Sequence, residues 1–334
     1  MMRRLSARAD RHRLAQPFAI ARGTREAIDL VTVSIGQDGK IGRGEGAPSA
    51  RYGEEAQSVL AQVQAIRPAI EAGLDRQGLL SVMAPGAALN AVDCALWDLE
   101  AKLSGVAVAD RLGPLPGGIV TAITVGIDRP EGMAARARFL AGAKEADGPA
   151  PLLKIKLDAD DIIDRVQAVR EAAPLAQLIA DANESWDMAL LERVLPALAA
   201  ARVELLEQPL PAGADEPLEG FASPVPLSAD ESAHVAAEVE WLASRYDYVT
   251  IKLDKSGGLT GALALAEAAQ AAGMGLMTGC MLCSSLSVAP AWHLAARSRF
   301  VDLDGPLWLA ADHPGGSVLE EGLLRAPSGL GWGW

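Results

Sequence analysis

From residue 120 onward, short apolar runs recur at an even beat, and most end in a charged residue. Residues 152–157 carry Lys154 and Lys156, 178–183 carry Asp181, 203–207 end in Glu207, 225–230 in Asp230, 248–252 in Lys252, and 300–304 in Asp302 and Asp304. Counted from Lys156, the steps are 25 residues to Asp181, 26 to Glu207, 23 to Asp230, 22 to Lys252, 28 to Cys280 and 22 to Asp302. A step of that length holds one strand and one helix. Strands and helices alternating in this way close into a parallel (β/α) barrel whose functional residues gather at the carboxyl ends of the strands. Runs at 120–125, which contains Thr124, and at 276–280 supply the remaining two strands. Helices are predicted near 131–145, 160–172, 187–200, 233–244, 259–272 and 285–296, and no full helix follows the eighth strand, which ends at Asp304.

The first 115 residues do not follow this beat. Alternation at 30–35, turn residues at 37–40 and a return at 41–45 predict a hairpin. Helix-period apolar patterns occupy 54–67 and 87–103, and Gly/Pro-rich loops are expected at 16–27 and 46–53. A Pro/Gly cluster at 113–118 marks a boundary. The expected organisation is an α+β domain (1–115), a barrel (116–310) and a Gly-rich tail (311–334) that folds back on the first domain. A net charge of -13 argues against nucleic acid and anionic membranes as partners. Three cysteines are too few for a disulfide framework and suggest a reducing compartment. The basic N-terminus lacks the apolar run of about 7–15 residues that a signal peptide needs, and no stretch approaches a membrane span. A cytoplasmic location is therefore expected. Monomer and homo-oligomer are both left open.

Side chains alternate along a strand, so Lys154 and Lys156 share a face, and two buried ammonium groups require anions. Asp181, Glu207 and Asp230 lie on three successive strands, where their carboxylates converge. Three such groups repel unless a cation intervenes, and oxygen-only ligation suits Mg²⁺. Glu231 competes with Asp230, and strand alternation allows only one of them to be a ligand. The bland alternative is that each acid caps a helix or pairs with a surface base. Lys156 on strand two and Lys252 on strand six flank the acids. A lysine near other cations is depressed in pKa and serves as a base, and a base on either face of one carbon is what a 1,1-proton transfer through an enediolate needs. Asp302 and Asp304 face inward and form a receptor for a cation such as an ammonium group.

The stretches Lys154-Ile155-Lys156, Asp181-Ala182-Asn183, Glu207-Gln208-Pro209, Ala229-Asp230-Glu231-Ser232 and Ile251-Lys252-Leu253-Asp254-Lys255 resemble the enolase superfamily, muconate-lactonizing subgroup. The similarity covers nearly the whole chain, including Gly44-Glu45-Gly46. It implies an α/β fold: a modified TIM-type (β/α)7β barrel with an N-terminal α+β capping domain. It implies Asp181, Glu207 and Asp230 as Mg²⁺ ligands, Lys156 and Lys252 as the acid/base pair for the (R) and (S) centres, and Lys154 as a contact to the substrate carboxylate. Around Cys280-Met281-Leu282-Cys283 and Leu303-Asp304-Gly305-Pro306 the chain is similar to the bacterial dipeptide epimerases of this family. That similarity implies a small acidic dipeptide, L-Ala-D-Glu or L-Ala-L-Glu, and a role in murein peptide metabolism. Asp302 and Asp304 would receive its ammonium group, and Arg22, ahead of Arg25, its glutamate side chain. Arg51 and Tyr52 would close over the substrate, and Thr124 would contact it. Cys280 would offer backbone groups, its thiol being a small packed residue. Lys255 and Asp254 would support the site from behind, while His234 and His293 would be structural. The rival readings are an epimerase of other dipeptides, an N-acylamino acid racemase, and a non-catalytic protein that binds acidic peptides.

Overall fold

The computed structural model describes residues 3–21, 23–142, 150–320, 322–325 and 329–332. The N-terminal strands β1 (Arg4–Ile20), β2 (Gly23–Gln37) and β3 (Lys40–Gly46) form an antiparallel sheet in that order. The β2–β3 hairpin turns through Asp38 at φ 49° and Gly39 at φ 76°, the pair of left-handed residues that lets a two-residue turn follow the strand twist. Helices α1 (Ala56–Glu71), α2 (Arg76–Val82) and α3 (Ala87–Ser104) cover one face. Here the sequence is fitted to a close approach. Gly42, Gly44 and Gly46 face α3, and a methyl group on each would collide with the backbone oxygens of Ala95, Ala91 and Ala87. Two strand residues rise about 6.6 Å and four helix residues about 6 Å, so a glycine at every second strand position meets an alanine at every fourth helix position. The intervening Glu45 points the other way, to the barrel.

After α4 (Val108–Leu112) and the short β4 (Gly118–Ile119), eight strands pair in parallel, each with the next in sequence. They are β5 (Ala122–Val125), β6 (Leu152–Lys156), β7 (Gln177–Asp181), β8 (Val203–Glu207), β9 (Leu227–Ala229), β10 (Tyr248–Ile251), β11 (Gly275–Gly279) and β12 (Phe300–Asp302). Leu303 N donates to Thr121 Oγ1 at 2.8 Å and Thr124 N to Asp304 Oδ2 at 2.9 Å, which stitches the end of β12 back to β5. Outside lie α5 (Pro130–Gly142), α6 (Ile162–Ala172), α7 (Met188–Ala200), α8 (Val239–Ala243), α9 (Leu253–Ser256), α10 (Gly258–Ala271) and α11 (Ser285–Ala295). Inside, Ala122, Leu152, Ile179, Leu205, Met277 and Phe300 pack into an apolar floor. Two residues further along the same strands come Thr124, Lys154, Asp181, Glu207, Gly279 and Asp302. The pleat thus carries the polar residues to one end of the barrel. The tail adds β13 (Leu319–Glu320) and β14 (Leu323–Arg325) to β4. It then seats Trp332 against α3, where its ring nitrogen donates to Cys94 O at 3.0 Å.

The structure differs from the sequence expectations in several places. Residues 16–20 and 23–27 are strand rather than loop: β1 runs to Ile20 and β2 starts at Gly23, with a register shift between Arg13 and Phe18. The expected helix at 233–244 is a 3-10 turn at Ala236–Glu238 followed by one turn of α8. The eighth barrel strand stops at Asp302, and Asp304 opens a 3-10 turn, Gly305–Trp308, where Pro306 cannot continue a ladder. Among the described residues no helix is long and apolar enough to cross a membrane. Gly44→Ala, which places a methyl against the Ala91 carbonyl, is expected to cost about 3 kcal/mol or more, beyond the usual overpacking range. Urea unfolding measures this, and a loss below about 0.5 kcal/mol would show that α3 gives way.

Candidate active site

The carboxyl ends of the barrel strands and the edge of the N-terminal sheet enclose a cavity of about 440 Å³. Its barrel wall includes Thr124, Lys154, Lys156, Lys252, Asp302 and Asp304. Across it stand Phe18, Ile20, Arg25 and Arg51 from the N-terminal part, and Cys280, Met281 and Leu282 close one side. Arg22, expected to meet a glutamate side chain, lies outside the described residues, whereas Arg25 lines the cavity.

Lys156 Nζ donates to Asp181 Oδ2 at 2.5 Å. Lys154 Nζ stands 2.7 Å from Asp302 Oδ2, 2.5 Å from Glu207 Oε2 and 3.1 Å from Asp181 Oδ2. Lys252, one residue past β10, donates to Asp230 Oδ2 at 2.6 Å, and Lys255 holds Asp230 Oδ1 at 2.6 Å. Lys156 and Lys252 ride on the second and sixth of eight strands, so they face each other across the mouth, with the acids of β7, β8 and β9 between. Asp304 accepts from Thr124 N and, at 3.1 Å, from the ring nitrogen of Trp308. Arg51 clamps Glu184 through two bonds of 2.6 and 2.7 Å, and the Tyr52 ring stacks edge-on at 5.5 Å against His234. His293 is buried in α11 beside Trp332, and burial pulls it down to about 4, so it stays neutral.

The residue order and fold recur in known proteins. Residues 2–113 match the mandelate racemase / muconate lactonizing enzyme N-terminal domain, and residues 134–334 the enolase C-terminal domain-like family. The chain belongs to the mandelate racemase/muconate lactonizing enzyme family of the enolase superfamily. Within this family, L-Ala-D/L-Glu epimerase of Escherichia coli K12 is 47% identical over 90% of this chain and 92% of its own. N-acetyl-D-glutamate racemase of a Pseudoalteromonas species is 42% identical over 91% and 95%. An Agrobacterium tumefaciens enolase family member with homology to dipeptide epimerases, solved with sodium and L-Ala-L-Glu, superposes with a TM-score of 0.93 at 45% identity over 98% of each chain. An Enterococcus faecalis dipeptide epimerase complexed with Mg and L-Leu-L-Tyr gives 0.90 at 31% identity over 100% and 99%.

The charges at this family member's barrel mouth do not cancel. Six buried carboxyl groups, Asp181, Glu207, Asp230, Glu231, Asp302 and Asp304, face four buried lysines, 154, 156, 252 and 255, so with every group ionised two negative charges are in excess. The effect concentrates on Glu207. Burial and the neighbouring Asp181 push its carboxyl up to about 8 against the pull of Lys154, and its Oε1 has no hydrogen-bond partner among the described residues. Asp181 and Asp230, also buried, are held low by Lys156 and by Lys252 with Lys255. The carboxylates in turn act on the lysines. Burial alone would lower Lys154 and Lys252, but Asp302, Glu207 and Asp181 raise the first, and Asp230 with Glu207 the second. The depression expected from sequence at Lys252 is therefore not found, because acids outnumber cations around it. Lys255 is lowered, by burial and by Lys252. The three acids do not by themselves form a metal-holding group among the described residues, since the Lys154 ammonium sits between Asp181 and Glu207. The oxygen-only donors, the unpartnered Glu207 oxygen and the two missing positive charges nevertheless fit a hard divalent cation.

Sequence reasoning gave Gln208 no role, weighed Glu231 only as a rival to Asp230, and placed Asp254 behind the site without its partners. Past the end of β9 the alternation no longer applies: Asp230 turns to the lysines and Glu231, also buried, accepts from Asn183 Nδ2 at 3.4 Å, so both acids reach the mouth. Gln208 sits at φ 36° directly after Glu207, and its Oε1 accepts from Asp230 N at 2.9 Å and Ser232 N at 3.1 Å, tying β8 to β9. A polar residue between an acid and Pro209 was the available signal. Asp254 accepts from Ala47 N at 2.9 Å and Asn90 Nδ2 at 2.8 Å, binding the barrel to the N-terminal part, and burial pushes its carboxyl up to about 7. An acid raised above its unfolded value of about 3.9 gives stability that is complete below that pH and lost as pH rises through about 7. Asp254→Asn keeps the acceptor and removes the charge. Unfolding measured against pH is expected to show the variant gaining on the parent from about pH 4 to 8, and parallel profiles would refute the assignment.

Proposed function

We propose that this chain is a magnesium-dependent epimerase that interconverts L-Ala-D-Glu and L-Ala-L-Glu, an isomerase of murein peptide metabolism acting in the cytoplasm. Residues 1–115 serve as a capping domain, 116–310 as the catalytic barrel and 311–334 as a tail that pins the cap. The observation that carries this reading is the placement of two lysines, Lys156 and Lys252, on opposite strands of one cavity, each paired to a different acid at 2.5 and 2.6 Å. Asp181, Glu207 and Asp230 would hold Mg²⁺, which when bound neutralises the substrate carboxylate and makes the α-proton more acidic. Lys154 adds its charge to that carboxylate. One lysine takes the α-proton from one face of the α-carbon and the other returns a proton to the opposite face. Lys252 is held protonated by Asp230 and Glu207, the same carboxylates that would be shared with a bound cation, and it would then move toward the range of a base.

Asp302 and Asp304 distinguish a dipeptide from an N-acylated amino acid. Asp302 Oδ1 is buried without a hydrogen-bond partner among the described residues, which fits the ammonium group that only the dipeptide keeps. Arg25 offers a cation for the glutamate side chain, with Arg22 three residues before it in sequence.

Proton NMR of L-Ala-D-Glu in D₂O with enzyme and Mg²⁺ is expected to show loss of the Glu α-proton and growth of the L,L diastereomer, both abolished by EDTA. Retention of the α-proton signal would void this substrate. Lys156→Ala is expected to lower epimerisation about 10³-fold or more in both directions while one diastereomer still exchanges its α-proton through Lys252; full activity would remove the two-base mechanism. Asp302→Asn is expected to lower kcat/KM for L-Ala-L-Glu about a hundredfold with Mg²⁺ affinity, read by calorimetry, unchanged. Equal turnover of N-acetyl-glutamate and the dipeptide by the parent enzyme would contradict the ammonium assignment.

A further inference from the structure

The proposed reaction makes no use of two thiols at the cavity wall, one lining it and one buried behind. Cys280 follows β11, lines the cavity and is partly exposed, while Cys283, three residues on, is fully buried. Their sulfurs converge on one point of the backbone: a methyl group on Gly305 would lie 3.0 Å from Cys280 Sγ and 3.1 Å from Cys283 Sγ. Cys280 raises the Cys283 thiol more than burial does. C-x-x-C is a spacing at which paired thiols form disulfides in redox motifs. The third cysteine, Cys94, is buried in α3, where its Sγ donates to Asn90 Oδ1 at 3.2 Å.

We propose that Cys280 and Cys283 are a redox-reactive dithiol in the wall of the active site, which a hydroperoxide entering the cavity converts to a disulfide. The Cys280 sulfur attacks hydrogen peroxide, forming an S–O bond and breaking the O–O bond. The thiol is oxidised by two electrons to a sulfenic acid, and the departing hydroxide leaves as water with the thiol proton. The Cys283 sulfur then attacks the Cys280 sulfur, forming S–S and breaking S–O, and the second hydroxide leaves as water with the Cys283 proton. Two thiols and one peroxide thus give one disulfide and two waters. A dithiol such as dithiothreitol reverses the change by exchange. Only Cys280 faces the cavity, so it is the sulfur that meets the oxidant, and Cys283 is the one that resolves it.

The bond would be felt in the cavity. Gly279 packs against Lys252, whose Cε would stand 3.1 Å from a methyl placed on that glycine, and Gly279 pairs in register with Asp302. Drawing Cys280 toward Cys283 pulls on the wall that separates Lys252 from Asp302, and turnover falls.

The test is chemical and independent of the reaction proposed above. Reduced enzyme treated with hydrogen peroxide and then denatured is expected to lose 2 Da and to fall from three titratable thiols to one, the third being Cys94. Peptide mapping is expected to join Cys280 to Cys283, and dithiothreitol to restore mass and thiols. Cys283→Ala is expected to gain oxygen at Cys280, about 16 Da, with no 2 Da loss. Three thiols retained after peroxide, oxygen addition without linkage in the parent enzyme, or a linkage through Cys94 would each overturn the proposal, and peptide mapping of the parent decides this even where the variant folds poorly. Epimerase activity of the linked form is expected to drop at least tenfold and to return with dithiothreitol. Unchanged activity in fully linked enzyme would overturn the coupling to the site.

Discussion

The barrel mouth depends on a crowd of buried charges that neutralise one another only in part. Isolated, any of these lysines or acids would cost several kcal/mol to bury, and each is tolerated because its neighbours carry the opposite sign. Lys154 is the clearest case: fully enclosed, it faces acids from three other strands and so ties β6 to β7, β8 and β12. The ammonium and carboxylate groups define a lattice of positions more rigid than hydrogen bonding to water would allow. The lattice is one divalent cation short of balance, and Glu207, whose Oε1 has no partner among the described residues, registers the deficit.

The N-terminal part is attached to this lattice by polar bonds that are themselves buried. Glu45 accepts from Ser284 N at 2.9 Å and Ser284 Oγ at 2.6 Å, at the start of α11. Asp254 holds Ala47 and Asn90 from the barrel side. Asp93 accepts from Thr260 N at 3.0 Å and Thr260 Oγ1 at 2.6 Å, and Trp97 donates to the same hydroxyl at 2.9 Å. Because the glycine row sets β3 directly on α3, these anchors hold sheet and helix as one body. Phe18, Ile20 and Arg25 are therefore presented over the mouth from a fixed base.

The barrel and its reactive end were legible because period and chemistry coincide: an apolar strand, a helix and a charged strand end, repeated at a constant step. Lys154, Lys156, Asp181, Glu207, Asp302 and Thr124 follow from side-chain alternation alone, and they line one end as that alternation requires. Where the strand stops, the rule stops with it. Glu231 lay beyond β9, so the argument that excluded it did not apply. Gln208 acts through a left-handed backbone and its own amide, neither of which leaves a periodic trace. Residues 16–27 read as a loop because glycine and proline were weighed without the partner strand that fixes them. Lysine pKa values could not be read from neighbours along one strand, since the acids that raise Lys154 and Lys252 come from other strands.

The apolar floor of the barrel has a consequence for traffic. Leu152, Ile179, Leu205, Met277 and Phe300 plug the far end, so a molecule reaching the lysines must enter and depart on the side covered by the N-terminal part. There the Arg51–Glu184 clamp spans the rim. In the proposed reaction both diastereomers share this one doorway. Which of them accumulates is left to the relative free energies of the free compounds, and the protein contributes only the speed with which that balance is reached.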